Sequence, residues 1–123
     1  MGIYRLIIAT DFDGTLCEEQ WPSIGAPNIP LINYLLDKKK KGCIIILNTC
    51  REGEELEEAV KWCKSYGLEF DAVNDNCQQI KDAWGNGQVW RKVYANVYID
   101  DHNMGSKALD KHGIKLPYKE DKK

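Results

Sequence analysis

Two acidic pairs stand far apart in this chain: Asp11 and Asp13 within Asp11-Phe12-Asp13-Gly14-Thr15, and Asp100-Asp101 directly after Val97-Tyr98-Ile99. A hydroxyl, Thr49, follows the apolar run Ile44-Ile45-Ile46-Leu47, and an ammonium, Lys92, lies just before Val93. Carboxylates brought together repel one another unless a cation shares them or protons neutralise them. An oxygen-only set suits Mg²⁺, which keeps several waters and takes one or two carboxylates together with a substrate phosphate. The Thr49 hydroxyl and the Lys92 ammonium suit the remaining phosphoryl oxygens. Gly14 permits a sharp turn and a close approach of backbone to ligand. The chemistry to be positioned is therefore work on a phosphoryl group beside a divalent ion.

The elements that must do the positioning can be read from the apolar pattern. Residues 4–9, 43–47, 70–73 and 93–99 read as strands, the last starting near Ala95, because they are apolar runs ended by polar residues. Residues 12–27 contain Gly14, Pro22, Gly25 and Pro27 and read as a loop. Asn28 is placed to cap a helix with Pro30 in its first turn and Ile32, Leu35 and Leu36 on its apolar side. Lys38 to Lys41 favour its negative end, and Gly42 stops it. Residues 52–66 form a second helix with Leu56, Val60 and Cys63 on one face, ended by Gly67. Residues 75–84 carry a weak helical pattern, Gly85-Asn86-Gly87 a turn, and residues 104–112 a short final helix. Strands alternating with helices predict an α/β fold with a parallel sheet, whose chemistry lies at the carboxyl ends of the strands. The ends of the first, second and fourth strands then share one edge, where Asp11, Thr49 and Asp100-Asp101 converge.

Length and composition set the bounds. The chain has 123 residues, 43% hydrophobic and 29% charged, with a net charge of −2. That is globular composition with no overall basic bias of the kind that coats a duplex. One domain is expected over residues 1–118, with a frayed tail at 119–123. The opening run is short and meets Asp11 and Asp13 at once, which predicts no secretory signal, and no run is long enough to span a bilayer. The five cysteines form no C-x-x-C pair, so reduced thiols in a cytoplasmic protein are expected.

Taken in order, Asp11-Phe12-Asp13-Gly14-Thr15, Thr49 after an apolar strand, Lys92 and Ile99-Asp100-Asp101 resemble the four motifs of the haloacid dehalogenase (HAD) superfamily. The resemblance covers residues 4–105. It implies a Rossmann-like three-layer sandwich with a central, mostly parallel sheet, and Mg²⁺-dependent phosphoryl transfer through an aspartyl-phosphate. By the same resemblance Asp11 is the nucleophile and Asp13 the general acid and base. Asp11, the Asp13 carbonyl and Asp101 ligate the metal, with Asp100 a weaker ligand or one acting through water. Thr49 and Lys92 hold the phosphoryl group. Thr49-Cys50-Arg51 is similar to the second motif of polynucleotide 3′-phosphatases, which makes Arg51 a substrate contact; the plainer reading pairs it with Glu52, Glu54 or Glu55.

The intervals between motifs leave room for a flap after Thr15 but for no large cap domain. An open site of this kind suits a large substrate end, or a small one sealed by a neighbouring subunit in a homo-oligomer. Trp21 and Pro22 either cover the entrance or pack on the core. Cys50 lacks the C-x5-R spacing of a cysteine phosphatase. His102 reads as a solvated or helix-capping residue, and Trp62, Trp84, Trp90, Tyr94 and Tyr98 as core or interface. The leading expectation is a phosphomonoester hydrolase. Its substrate is a small phosphorylated molecule, a nucleotide or a 3′-phosphorylated nucleic-acid end. The rival classes are a receiver-like phospho-acceptor, which the motif order disfavours, and an inactive phosphate-binding domain.

Overall fold

The computed structural model describes residues 5–84 and 93–100. Four strands form a parallel sheet: β1 (Ile7–Thr10), β4 (Ile44–Leu47), β5 (Ala72–Val73) and β6 (Val97–Ile99), in the order β5-β4-β1-β6. β1 and β4 are buried along their whole length. Their near-continuous Ile and Leu content follows from that, because helices cover both faces.

The two faces are built from alternate residues of the same strands. Ile8, Ile45 and Leu47 pack with Leu31, Ile32 and Leu35 of α1 (Ile29–Lys40) and with Ala59 and Cys63 of α2 (Gly53–Ser65). Ile7, Ala9, Ile44 and Ile46 pack on the other side with Cys77 and with Ile80 of α3 (Gln78–Trp84). The period of two along each strand thus makes three layers from one central sheet. This is the mixed α/β architecture that the alternation of elements predicts, and it has the Rossmann-like three-layer form that the resemblance implies.

Local chemistry sets the helix ends. The Asn28 side chain accepts from the Leu31 N–H, and Pro30 occupies the first turn. Asn28 also donates to the Thr15 carbonyl at 3.1 Å, tying the start of α1 to the turn after β1. The basic last turn is Lys38, Lys39 and Lys40.

The expected loop at residues 12–27 is in fact a turn followed by an antiparallel hairpin, β2 (Cys17–Gln20) with β3 (Ser23–Pro27). Only Cys17 is buried in β2, so the outward Glu18, Glu19 and Gln20 hide the strand from a search for apolar runs. Gly25 is required here because a Cβ would run into the Glu18 carbonyl. Among the described residues this hairpin is the whole insertion between β1 and α1, and there is no cap domain. β5 and β6 are shorter than the expected 70–73 and 93–99, and β1 ends one residue later than expected, at Thr10. The expected turn at 85–87, the helix at 104–112 and the tail at 119–123 lie outside the described residues.

Candidate active site

Register does the first part of the positioning. Thr10 at the end of β1 pairs with Leu47 on one side and with Ile99 on the other. The residues that follow, Asp11, Asn48 and Asp100, therefore leave the sheet at one level. Two backbone bonds hold that level: Asp11 N–H to the Ile99 carbonyl and Asn48 N–H to the Thr10 carbonyl, both 2.9 Å. They border a cleft of about 240 Å³ lined by Asp11, Asn48, Thr49, Cys50, Tyr98 and Asp100. Of the sequence-predicted site residues, Asp11, Thr49 and Asp100 are thus brought together. Lys92 and Asp101 lie outside the described residues, as do His102 and Trp90.

The Asp11 carboxylate accepts the Phe12 N–H at 2.7 Å, which orients it at the strand end. The chain then turns at Gly14, whose φ of 80° is natural only to glycine. Thr49 is held from two sides. Its N–H donates to the Asn74 side chain at 2.7 Å, and its hydroxyl accepts from the Arg51 N–H at 3.1 Å. A hydroxyl that accepts one bond still has its O–H to donate. Asn74 is a positioning residue that sequence reading missed. It sits in the left-handed region at φ 52°, directly after β5, with its own N–H on the Leu47 carbonyl. An Asn directly after a strand, a type that tolerates φ > 0, is the signal that points to it.

Arg51 has a different part from the expected substrate contact. Its side chain is buried and forms a two-pronged ion pair with Asp13, Nε to Oδ2 and Nη2 to Oδ1, each 2.8 Å. The remaining N–H groups go to the carbonyls of Pro22, Ser23 and Glu55. All five guanidinium N–H groups are thereby committed to protein acceptors, and none remains for a phosphate. The plainer expectation also needs correction: the partner acid is Asp13, and Glu55 contributes its carbonyl. The guanidinium carbon lies 5.0 Å from the Phe12 ring centre and 4.9 Å from that of Trp21. The hydrogen bond to Asp13 raises the Arg51 pKa further above its ordinary value. Burial pushes the nearby Cys17 thiol up to about 11, so it stays neutral at the start of β2.

Trp21 does not pack in the core; it is 53% exposed at the turn of the hairpin. Trp62 stacks edge-on against Phe12, and Tyr98 is 40% exposed at the cleft. Cys50 is exposed and lines the cleft.

The donor chemistry of the cleft fits a hard divalent cation, since Asp11 and Asp100 offer carboxylate oxygens from adjacent strand ends. Among the described residues no three His, Cys, Asp or Glu side chains stand together as a ready-made metal cage. A Mg²⁺ site here would use those two acids with backbone carbonyl and water, and with Asp101 from beyond them.

No family model matches the chain, and no curated protein matches it. A solved structure does: a conserved protein from Bacteroides thetaiotaomicron, 37% identical, aligned over 83% of this chain and 80% of that one, with a TM-score of 0.71. The chain belongs to the same family as that conserved protein. The kinship carries the α/β fold across both proteins; function has to be argued from the site.

Proposed function

We propose that this protein is a Mg²⁺-dependent phosphomonoester hydrolase acting through an aspartyl-phosphate on Asp11. The observation that carries the proposal is the shared register of β1, β4 and β6, which brings Asp11, Thr49 and Asp100 to one cleft at the carboxyl edge of the sheet. The order of the HAD-like motifs agrees with that placement.

In the first half-reaction an Asp11 oxygen attacks phosphorus and the P–O ester bond breaks; Asp13, whose two oxygens both accept from Arg51 in this structure, has to be released from that pair to give a proton to the departing oxygen. In the second, Asp13 takes a proton from water as that water attacks phosphorus, releasing inorganic phosphate and restoring the Asp11 carboxylate. The Thr49 hydroxyl donates to a phosphoryl oxygen, and Lys92 offsets negative charge there. A phosphate oxygen and a carboxylate 4 Å apart repel by about 4 kcal/mol at an effective dielectric near 20. Asp11, the Asp13 carbonyl, Asp100 and Asp101 would hold a Mg²⁺ ion, which would supply the charge that offsets this repulsion.

The engaged guanidinium of Arg51 withdraws the argument that favoured a 3′-phosphorylated nucleic-acid end over other monoesters. The small-molecule and nucleic-acid readings stand level on the remaining residues, and homo-oligomers that seal the open edge fit either. No described helix is long and apolar enough to cross a membrane. All five cysteines are free, and burial pushes the Cys63 thiol up to about 12. We therefore propose a reducing, cytoplasmic setting.

The test is a hydrolysis screen of nucleotides, sugar phosphates and 3′-phosphorylated oligonucleotides, with Mg²⁺ or with EDTA. Mg²⁺-dependent release of phosphate from at least one class, lost in Asp11→Asn with the circular-dichroism spectrum retained, is the expected result. Near-normal rates in Asp11→Asn would falsify the mechanism.

A further inference from the structure

Among the described residues, Tyr98 is the aromatic side chain that borders the cleft. Its ring is both open and fixed. It is 40% exposed, yet its hydroxyl accepts from the Ala95 N–H at 2.9 Å and donates to the Val93 carbonyl at 2.6 Å. Both bonds tie the ring back to the approach of its own strand, so its orientation is set before any ligand arrives. The O–H is already donated, so what Tyr98 offers the cleft is its apolar ring.

Register places that ring beside the acids. Tyr98 pairs with Ala9 of β1, and Asp100 and Asp11 come two residues further along the same two strands. Side chains two residues apart share a face of the sheet. Ala9 is a second, independent observation. The other β1 and β4 residues of this face are Ile7, Ile44 and Ile46, whereas Ala9 is small and lines the cleft. A larger side chain there would fill space that now belongs to the cleft, next to the Tyr98 ring. Thr49 and Cys50 lie across β1 from it, because β1 sits between β4 and β6.

We propose that Tyr98 is a specificity-determining residue whose ring stacks on a flat aromatic group carried by the substrate. The inference rests on the phosphatase reading and names a substrate class for it: a phosphomonoester with an aromatic or heteroaromatic ring a few bonds from phosphorus. Two residues of strand and one strand spacing separate Tyr98 from Asp11, about 8 Å between Cα positions. With phosphorus at Asp11, a ring on a short linker spans that distance. A saturated ring of equal size has no π face and forgoes the stacking contribution. Such rings occur in compact arylmethyl esters and in nucleotides.

Benzyl phosphate and cyclohexylmethyl phosphate differ only in the ring, and both release primary alcohols. Calorimetric titration of Asp11→Asn with Mg²⁺ reads their binding without turnover. The benzyl ester is expected to bind about fivefold more tightly. Adding Tyr98→Leu is expected to abolish that preference and to leave the affinity for inorganic phosphate unchanged, which a collapsed cleft would not. Adding Tyr98→Phe keeps the ring without its two hydrogen bonds and is expected to retain part of the preference. Equal affinity for the two esters in Asp11→Asn alone would overturn the proposal, whether or not Tyr98→Leu folds. Equal loss in Tyr98→Phe and Tyr98→Leu would assign the effect to the hydroxyl and contradict stacking.

Uridine 5′-monophosphate against ribose 5-phosphate separates the two sources of the ring. A preference for the nucleotide that Tyr98→Leu removes assigns the ring to a base; a benzyl preference without it assigns a compact arylmethyl ester. The phosphatase reading fails separately. Preferential binding of benzyl phosphate, with no phosphate released from it by the wild type, counts against hydrolysis and leaves the stacking role standing. Binding of none of these compounds, inorganic phosphate included, contradicts both.

Discussion

At the scale of single residues, the site depends on side chains that touch no reacting atom. Asn74 holds the Thr49 N–H while standing in a left-handed conformation. Two substitutions separate those contributions. Asn74→Gly removes the acceptor but suits the backbone, whereas Asn74→Ala removes the acceptor and adds strain of about 1 kcal/mol. The alanine variant is expected to unfold at lower urea than the glycine variant, while both lose activity alike because Thr49 is loosened in each. Equal urea midpoints would remove the backbone argument. Arg51 illustrates why such roles escape sequence reading. The acids next to it in the chain, Glu52, Glu54 and Glu55, invite a local pairing, yet its carboxylate partner is Asp13. Nothing in the spacing reveals that, because the contact is made by the sheet bringing the ends of β1 and β4 side by side. Asp11, Thr49 and Asp100 were legible because each directly follows or closely trails an apolar run.

At the scale of elements, the helices were legible through their ends and the hairpin was not. Asn28, Pro30 and the lysines before Gly42 each carry a local reason to start or stop a helix, and α1 occupies that span. β2 and β3 lack such signals. Glu18, Glu19 and Gln20 are exposed, and Pro22, Gly25 and Pro27 are types that usually interrupt strands. Their pairing follows from the tight turn and from Gly25 lying against Glu18, which are properties of the folded ribbon. The link from α1 to the turn after β1 is Asn28, which caps α1 and donates to the Thr15 carbonyl. Asn28→Ala removes both bonds in a buried place. The expected cost is about 2 kcal/mol, from a lost cap and an unsatisfied carbonyl. For a protein of this size that lowers the melting temperature by roughly 5 °C or more, readable by calorimetry. An unchanged melting temperature would show that the turn after β1 is fixed by other contacts.

At the scale of the whole molecule, a small α/β sandwich presents its acids along one open edge. The parallel sheet requires helices on both faces, and the only described extra structure is the hairpin between β1 and α1. Among the described residues no large cap covers this edge, so on the proposed reading the residues lining the cleft, Tyr98 and Cys50 among them, would meet the substrate. The near-neutral charge gives no general attraction for polyanions, so recognition of any phosphorylated end must be local. The central claim is that Asp11 becomes covalently phosphorylated during turnover. Acid-quenching the protein during hydrolysis of a phosphomonoester with Mg²⁺, followed by peptide mass mapping, tests it most directly. The account predicts one phosphoryl group on the peptide carrying Asp11, absent from Asp11→Asn and from the EDTA control. Active enzyme with the label on another residue, or with undiminished turnover in Asp11→Asn, would contradict it.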